Sequence, residues 1–134
     1  MVAKAKARYI RISPRKTRLV ANTIKGKNVG EALAILSNLN KRACVFIEEL
    51  LRSAISNAKA NPEIDQNDLY ISRLVVDGGP TLKRYRAGSM GRAMMIRHRT
   101  SHITMELDAL VRPKKEEPKK KVKTTRKSLI RRSK

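Results

Sequence analysis

The longest regular hydrophobic pattern of the chain lies between residues 40 and 62. Apolar residues recur there every three or four positions, the spacing that places side chains on one face of a helix. Asn40 precedes the pattern as a candidate N-cap, and Asn61-Pro62 follows it as a stop signal. The apolar stripe consists of Ala43, Ile47, Leu50, Leu51, Ala54, Ile55 and Ala58. The pattern predicts a long helix whose apolar face covers a core.

Two shorter helices are predicted before it. Ser13-Pro14 provides an N-cap followed by proline at the first helical position, and Gly26 is a suitable C-terminal stop. The predicted apolar face of this helix is formed by Leu19, Val20, Thr23 and Ile24. Asn28 and Glu31 resemble a capping box at the start of the next helix. Its apolar positions are Val29, Ala32, Leu33, Leu36 and Leu39.

Three segments have the alternation or composition of β-strands. Residues 3–12 alternate between small apolar and basic residues until the phase slips at positions 10–12, which predicts an edge strand with a bulge. Residues 69–77 are rich in β-branched side chains, and residues 96–107 alternate again. Residues 63–68 form a polar loop before the second strand. Three helices and three strands are therefore predicted, with two strands after the last helix.

About 19 residues separate the last two strands and contain Gly78, Gly79, Gly88 and Gly91. A structureless loop of that length is uncommon inside a compact domain. We therefore predict a long β-hairpin, about residues 78–100, that protrudes from the body. Arms of roughly nine residues at about 3.3 Å each would reach on the order of 30 Å. Such an arm buries little of its own surface and needs a partner to order it.

Positive charge is unevenly distributed along the chain, which has a net charge of +21. Residues 1–27 contain nine basic and no acidic residues, residues 81–99 contain six and none, and residues 113–134 contain eleven and two. These blocks hold 26 of the 32 cations around a near-neutral middle. Such segregation is typical of a surface that binds phosphate. The lysine-rich residues 113–134, which contain Pro113 and Pro118, are predicted to be a disordered tail.

The sequence offers little enzymatic chemistry, and we expect no catalytic residues, no metal and no cofactor. His98 and His102 are four residues apart, a spacing that could bind a metal on a helix. They fall in a predicted strand, so this spacing does not indicate a metal site. Cys44 is the single cysteine and is interpreted as a small core residue. No run of 18 apolar residues predicts a membrane span. A reducing cytoplasm is the simplest compartment for the chain.

Aromatic residues are too few for a sheet that reads bases by stacking, because the chain has three tyrosines and one phenylalanine. Contacts to RNA backbone and shape are therefore expected. Tyr85, between Arg84 and Arg86, is the one candidate for stacking. Cross-strand packing is an equally good interpretation of Tyr85.

Several runs along the chain resemble a known family. These runs are Ser13-Pro14-Arg15-Lys16-Thr17-Arg18-Leu19-Val20, Ile24-Lys25-Gly26-Lys27, Ser53-Ala54-Ile55-Ser56-Asn57-Ala58, Val76-Asp77-Gly78-Gly79-Pro80-Thr81-Leu82-Lys83-Arg84, Gly91-Arg92-Ala93 and Arg99-Thr100-Ser101-His102-Ile103-Thr104. In this order and spacing, over about residues 5–108, the chain resembles the bacterial form of the large-subunit ribosomal protein L twenty-two family.

The resemblance implies a small α+β fold, three helices packed on a three-stranded antiparallel sheet, with a long protruding β-hairpin. It divides the chain into a domain at residues 1–112 and a basic extension at residues 113–134. It implies a structural role in the cytoplasmic 50S ribosomal subunit. There the domain would bind several domains of 23S rRNA and support assembly, while its hairpin lines the nascent-peptide exit tunnel.

Specific residues and partners follow from the same resemblance. The implied partners are 23S rRNA, other large-subunit proteins (notably the tunnel protein L four) and the nascent polypeptide, with no membrane and no homo-oligomer. The implied hairpin tip consists of Tyr85, Ala87, Gly88, Ser89, Met90 and Gly91. The rRNA-binding candidates are Arg8, Arg11, Arg15, Lys16, Arg18, Lys25, Lys27, Lys83, Arg84, Arg86, Arg92, Arg97 and Arg99.

Two other classes fit parts of the sequence. A nucleoid-type DNA-binding protein would have the same positive charge and lysine-rich tail, so composition alone does not separate it from an RNA-binding protein. A cationic membrane-active protein would need a strongly amphipathic basic helix with aromatic residues. The helix predicted at residues 41–60 carries too little charge for that class.

Overall fold

The computed structural model describes residues 2–60 and 68–109. In these ranges the chain forms three α-helices and a three-stranded antiparallel sheet, as the resemblance implied. The elements in chain order are β1 Ala3–Ile10, α1 Pro14–Ile24, α2 Val29–Asn38, α3 Arg42–Ala58, β2 Leu69–Ala87 and β3 Ala93–Ala109. The polar loop predicted before β2 and the tail at residues 113–134 lie outside the described residues, apart from Asp68.

The sheet has the order β1-β3-β2, so β1 is an edge strand as predicted. Helix α3 packs on β1 and β3, α1 packs on β2, and α2 packs on α3. The helices therefore cover one face of the sheet, and the core lies between them. Its fully buried large side chains include Ile24, Leu36, Ile47, Leu51, Leu69, Ile71, Ile103, Met105 and Leu107.

Helix α3 confirms the strongest sequence pattern. Every residue of the predicted stripe is buried except Ile55, which is half-buried against the core. Cys44 is buried beside the stripe, as expected of a small core residue. The predicted cap was wrong, because Lys41 rather than Asn40 occupies the N-cap position. The Lys41 side chain can only donate hydrogen bonds, so it leaves the first N–H groups of the helix without a side-chain acceptor.

Helix α1 begins and ends where the sequence predicted, but it buries a different face. Gly26 has φ +77° directly after the C-cap, a conformation that glycine adopts without strain. The buried residues are Thr17, Val20, Ala21 and Ile24. The predicted positions Leu19 and Thr23 are exposed, so the apolar face was assigned partly wrongly.

The caps of α1 and α2 follow the predicted positions without the predicted side-chain bonds. Ser13 and Asn28 are the N-caps, but neither side chain hydrogen-bonds to the helix. At α1 the Ser13 carbonyl oxygen accepts bonds from the N–H groups of Lys16 and Thr17. A residue type that favours a cap therefore located both helix starts, although its side chain does not form the bond.

A bulge interrupts β1, as predicted, but at Arg8 and Tyr9 rather than at positions 10–12. Ala7 pairs with Ile103 and Ile10 with Ser101, so two residues of β1 oppose His102 alone. Tyr9 has φ +59°. Its N–H donates to His102 Nδ1 at 3.0 Å, and the two rings meet edge to face at 4.8 Å. This hydrogen bond gives His102 a structural role.

The hairpin is a continuation of β2 and β3 beyond the body. The two strands are longer than predicted, because pairing continues without interruption from Thr81–Arg99 to Ala87–Ala93. These seven pairs, at about 3.3 Å per residue, project about 23 Å beyond the bulge. No residue from 77 to 99 is buried. The predicted projecting hairpin is confirmed.

A bulge also marks the base of the hairpin and was not predicted. Gly78 pairs with Ser101 and Thr81 with Arg99, so Gly79 and Pro80 oppose Thr100 alone. The Thr100 hydroxyl donates to the Pro80 carbonyl oxygen at 2.7 Å. A Cβ on Gly79 would collide with that hydroxyl and lie 3.1 Å from His102 Nε2. Bulges increase local twist, so this one sets the direction in which the hairpin leaves the body.

Candidate nucleic-acid interface

A large concavity of the described structure lies where the hairpin leaves the body. We call it the hairpin groove, a space of about 1230 Å³ between α1, the α2–α3 connection and the first pairs of the hairpin. The larger apolar residues that line it are Ile12, Leu19, Val20, Leu39 and Leu82, and we call them its apolar floor. Its cations are Arg11, Lys16, Lys41, Arg42, Arg84, Arg97 and Arg99. No carboxylate is among the described residues that line it.

Three separate parts of the chain contribute to this groove. Arg11 and Lys16 come from the basic N-terminal block, and Arg84, Arg97 and Arg99 come from the basic hairpin. The third part is the start of α3, with Lys41 and Arg42. The fold therefore joins two of the three charge blocks into one surface. Seven cations around one concavity raise the local positive potential and favour a polyanion.

Lys41 and Arg42 were missed by the sequence analysis. They lie in the near-neutral middle of the chain, so charge segregation gave no reason to select them. The signal that could have found them is local: two adjacent cations stand at the start of α3, where positive charge opposes the helix dipole. That placement is unfavourable unless an anion lies nearby.

A smaller depression adjoins the groove on the other side of Arg99. Ser13, Pro14, Arg15, Arg18 and Gly78 complete its lining. Arg18 Nε donates to the Val76 carbonyl oxygen at 2.9 Å, which fixes α1 against β2 at the base of the hairpin. Arg18 therefore has a structural contact in addition to its predicted role, whereas the side chain of Arg15 is exposed.

The remaining basic candidates are dispersed. Lys83, Arg86 and Arg92 are exposed along the hairpin outside the groove. Lys25 and Lys27 lie at the opposite end of α1, where backbone hydrogen bonds link Gly26 and Lys27 to Ile71. Arg8 lies in the β1 bulge. The structure thus brings together Arg11, Lys16, Arg84, Arg97 and Arg99, but not the other eight candidates as one cluster.

Cations also face each other across the hairpin. Lys83 pairs directly with Arg97 in the antiparallel register. Like charges directly opposite one another destabilise a strand pair. Among the described residues of the hairpin, 81–99, there is no acidic side chain to compensate. The hairpin is thus a two-stranded element with repelling charges and no core of its own.

The hairpin tip is a tight turn without charged side chains between Ala87 and Gly91. A short 3-10 turn covers Ser89–Gly91, and the Gly88 N–H donates to the Arg92 carbonyl oxygen at 2.7 Å. Met90 and Gly91 have φ values of +55° and +72°. Met90 is 93% exposed. The tip therefore presents small and apolar groups outward.

Tyr85 stands on the hairpin opposite Met95. Its side chain is nevertheless 69% exposed. The register satisfies the packing interpretation in part, while most of the ring remains open to another molecule. Both interpretations of Tyr85 remain predictions.

The structure gives no sign of a metal or a membrane-spanning site in the part of the chain that it describes. No three His, Cys, Asp or Glu side chains come together there. None of α1, α2 and α3 is long and apolar enough to cross a membrane. An ion pair with a clear electrostatic effect lies on the sheet of the body. A hydrogen bond from the Lys4 ammonium lowers the pKa of Glu106 below its ordinary value of 4.5.

Comparison with known proteins places the chain in a family. Residues 5–108 match the family described as Ribosomal protein L22p/L17e. The chain is 54% identical over 105 residues to the large ribosomal subunit protein uL22 of Halothermothrix orenii. That match covers 78% of this chain and 93% of the relative. The chain therefore belongs to the L22p/L17e family of ribosomal proteins, whose members are structural and not enzymatic constituents of the large subunit.

Proposed function

We propose that this chain anchors on several domains of 23S rRNA through its body and extends its hairpin between RNA segments to the wall of the nascent-peptide exit tunnel. As a member of its family it is a structural constituent of the large ribosomal subunit. The observation that carries the finer proposal is the hairpin itself. It has seven strand pairs, no buried residue and no acidic residue.

The lack of buried side chains explains why the hairpin needs a partner. An isolated two-stranded hairpin is at best marginally stable in water. Here the Lys83–Arg97 pair adds repulsion instead of stabilisation. Surrounding phosphates would compensate both cations and order the strands. RNA is therefore the environment that the hairpin fits.

The groove and α1 supply the anchor in this proposal. Arg11, Lys16, Arg84, Arg97 and Arg99 line one concavity at the base of the hairpin. RNA bound there would fix the direction of the hairpin as well as the position of the body. The other candidates, Lys25, Lys27 and Arg8, lie on other sides of the body. Their dispersal suits contact with more than one RNA domain.

The uncharged tip suits a tunnel wall. Nascent chains of every composition pass through the tunnel, and Ala87–Gly91 offers them neither a charge nor a long polar side chain. We place Met90 and its neighbours towards the lumen, and the tunnel protein L four beside them. These two partners follow from the family resemblance.

Cofractionation tests membership of the subunit in cells. The full chain is expected with 50S particles in a low-magnesium sucrose gradient. Recovery with chromosomal DNA and absence from 50S would instead support the nucleoid alternative. Binding of the purified chain to rRNA should weaken steeply with salt, with a logarithmic slope of roughly −0.7 per phosphate contact. A flat response would contradict phosphate-driven binding.

Deletion of residues 83–97 removes the tunnel arm together with Arg84 and Arg97 of the groove, and it keeps Arg11, Lys16 and Arg99 of the anchor. Leu82 and His98 are a directly opposed pair, so a two-residue Asn-Gly turn can join them. The shortened chain should keep its circular-dichroism spectrum and enter 50S particles, because the core lies outside the deletion. Chemical probing of tunnel rRNA should then change only along the missing arm. Loss of fold or of incorporation would contradict this division of roles.

A further inference from the structure

The floor of the hairpin groove is apolar although its rim is cationic. Leu19 of α1 is 68% exposed, and Leu39 and Leu82 are half-buried. These leucines come from α1, the end of α2 and the hairpin, and all three line the same groove. A single exposed leucine is ordinary. A floor assembled from three elements is instead a patch that indicates an occupant.

Charge identifies the class of occupant. Seven cations surround the floor, and no carboxylate is among its described lining residues. A second copy of this chain, with a net charge of +21, would be repelled. The lysine-rich segment 113–134 would be repelled for the same reason. The occupant must carry negative charge and an apolar surface together.

Shape distinguishes the forms of RNA. A double helix presents phosphates and 2′-hydroxyls outward and keeps the faces of its bases stacked inside. It would reach the cationic rim and leave the leucines in contact with water. An unpaired nucleotide can turn its base out of the stack and lay the flat face on an apolar surface. Arg84 and His98 also line the groove, and flat groups of this kind stack on bases.

We propose that the hairpin groove admits an unpaired nucleotide of the rRNA, with its base against Leu19, Leu39 and Leu82 and its neighbouring phosphates on the cationic rim. The space of about 1230 Å³ exceeds the 300–1,000 Å³ typical of small-ligand sites, so a nucleotide fits together with part of its flanking backbone. This inference rests on the proposed rRNA binding and adds a base contact at one defined place.

Leu19→Ser tests the floor without threatening the fold, because the side chain is exposed. Val45→Ser is the matched control, since Val45 is an apolar residue that is 55% exposed on α3, outside the groove. We expect Leu19→Ser to weaken binding of the full chain to a full-length large-subunit rRNA transcript about fivefold. Val45→Ser should bind like the unmodified chain.

Salt dependence separates base from phosphate contacts. Leu19→Ser should leave the salt slope unchanged, because no phosphate contact is lost. Lys16→Ala on the rim should make the slope shallower by about 0.7. Chemical probing of base reactivity should show at least one unpaired base protected by the unmodified chain and by Val45→Ser. Leu19→Ser should restore its reactivity.

Three other outcomes would overturn the inference. If Leu19→Ser binds with full affinity, or if protection maps only to base-paired segments, the inference is overturned while rRNA binding stands. If Leu19→Ser binds the transcript normally but loses a protein neighbour in assembled subunits, the occupant is a protein and the inference is also overturned. If the unmodified chain fails to bind the transcript, both the inference and the proposed function fail.

Discussion

Strands β2 and β3 behave differently at their two ends. In the body, Leu69, Ile71, Leu74 and Val76 alternate inward, and Ile103, Met105 and Leu107 do the same on the partner strand. Beyond Gly78 the same two strands resume pairing after a bulge and continue to Ala87 and Ala93, yet no side chain from 77 to 99 is buried. Backbone pairing occurs at both ends of the strands, but side chains are buried only at the end that lies in the body.

The difference shows which forces maintain each end. Hydrophobic burial stabilises the body, because its core side chains leave water completely. The hairpin has backbone hydrogen bonds and a tight tip, but its facing cations repel. Its strand pairing is thus specified by the chain, and under the proposed function a partner of opposite charge orders it. The predictions below test this contrast.

The largest effect should come from one residue type placed at both ends of β3. Met105 is fully buried, whereas Met95 is 43% exposed on the hairpin. Met105→Ala should lower the free energy of unfolding by about 2–5 kcal/mol because it leaves a cavity. Met95→Ala should cost less than about 1 kcal/mol. Urea denaturation monitored by circular dichroism measures both, and equal losses would show that the hairpin shares the core.

The bulge that joins the two ends should tolerate no side chain. Gly79→Ala should cost about 1–3 kcal/mol, because the new Cβ meets the Thr100 hydroxyl and His102. Gly30→Ala is the control, since a Cβ there meets nothing within 4 Å and alanine favours a helix. It should leave stability unchanged or raise it. Thermal unfolding checks the pair, and similar behaviour of both variants would remove the steric argument.

A charge reversal on the hairpin should act in opposite directions on stability and binding. Lys83→Glu would face Arg97 and stabilise the free strands by about 0.2–1 kcal/mol. Amide hydrogen exchange across residues 81–99 should become slower. Affinity for rRNA should fall, and the salt slope should become shallower.

Lys59→Glu is the matched control for this reversal, because Lys59 is exposed at the end of α3, away from the hairpin. It makes the same change in net charge. Lys59→Glu should neither slow amide hydrogen exchange across residues 81–99 nor weaken rRNA binding. If both reversals weaken binding equally, net charge and not hairpin position controls affinity.

The smallest effect concerns the ion pair of Lys4 and Glu106 on the body. The folded-state pKa of Glu106 is lowered by the Lys4 hydrogen bond, with smaller contributions from Arg73 and Lys6. Its stabilisation is therefore present above the ordinary pKa of 4.5 and is lost as the pH falls through the lowered value. Glu106→Gln should be slightly less stable than the unmodified chain at pH 7 and equally stable in strong acid. If the difference in stability between Glu106→Gln and the unmodified chain grew as the pH fell, the predicted direction of the effect would be wrong.

Much of the body was predictable from local patterns. The stripe on α3 identified a buried face because seven apolar positions leave few alternatives. Ser13-Pro14 and Gly26 located both ends of α1 through backbone conformations that these residues favour. The four glycines between the last two strand patterns predicted the hairpin.

Other features depended on neighbours that a pattern does not reveal. The rotation of α1 was assigned wrongly because Leu19 and Thr17 are both compatible with a helical face, and packing on β2 decides between them. Lys41 and Arg42 were missed because they reach the groove only through the turn between α2 and α3. The Gly79–Pro80 bulge depends on the register of two strands.

Spacing, turn residues and charge are local properties, so the sequence was enough to predict the helices, the strands, the projecting hairpin and the charge blocks. The tertiary structure was needed to show that the N-terminal and hairpin cations share one groove with three leucines. That surface exists only where α1, the α2–α3 connection and the hairpin base meet. Burial, strand register and the Gly79–Pro80 bulge depend on contacts between residues far apart in the chain, which local patterns do not contain.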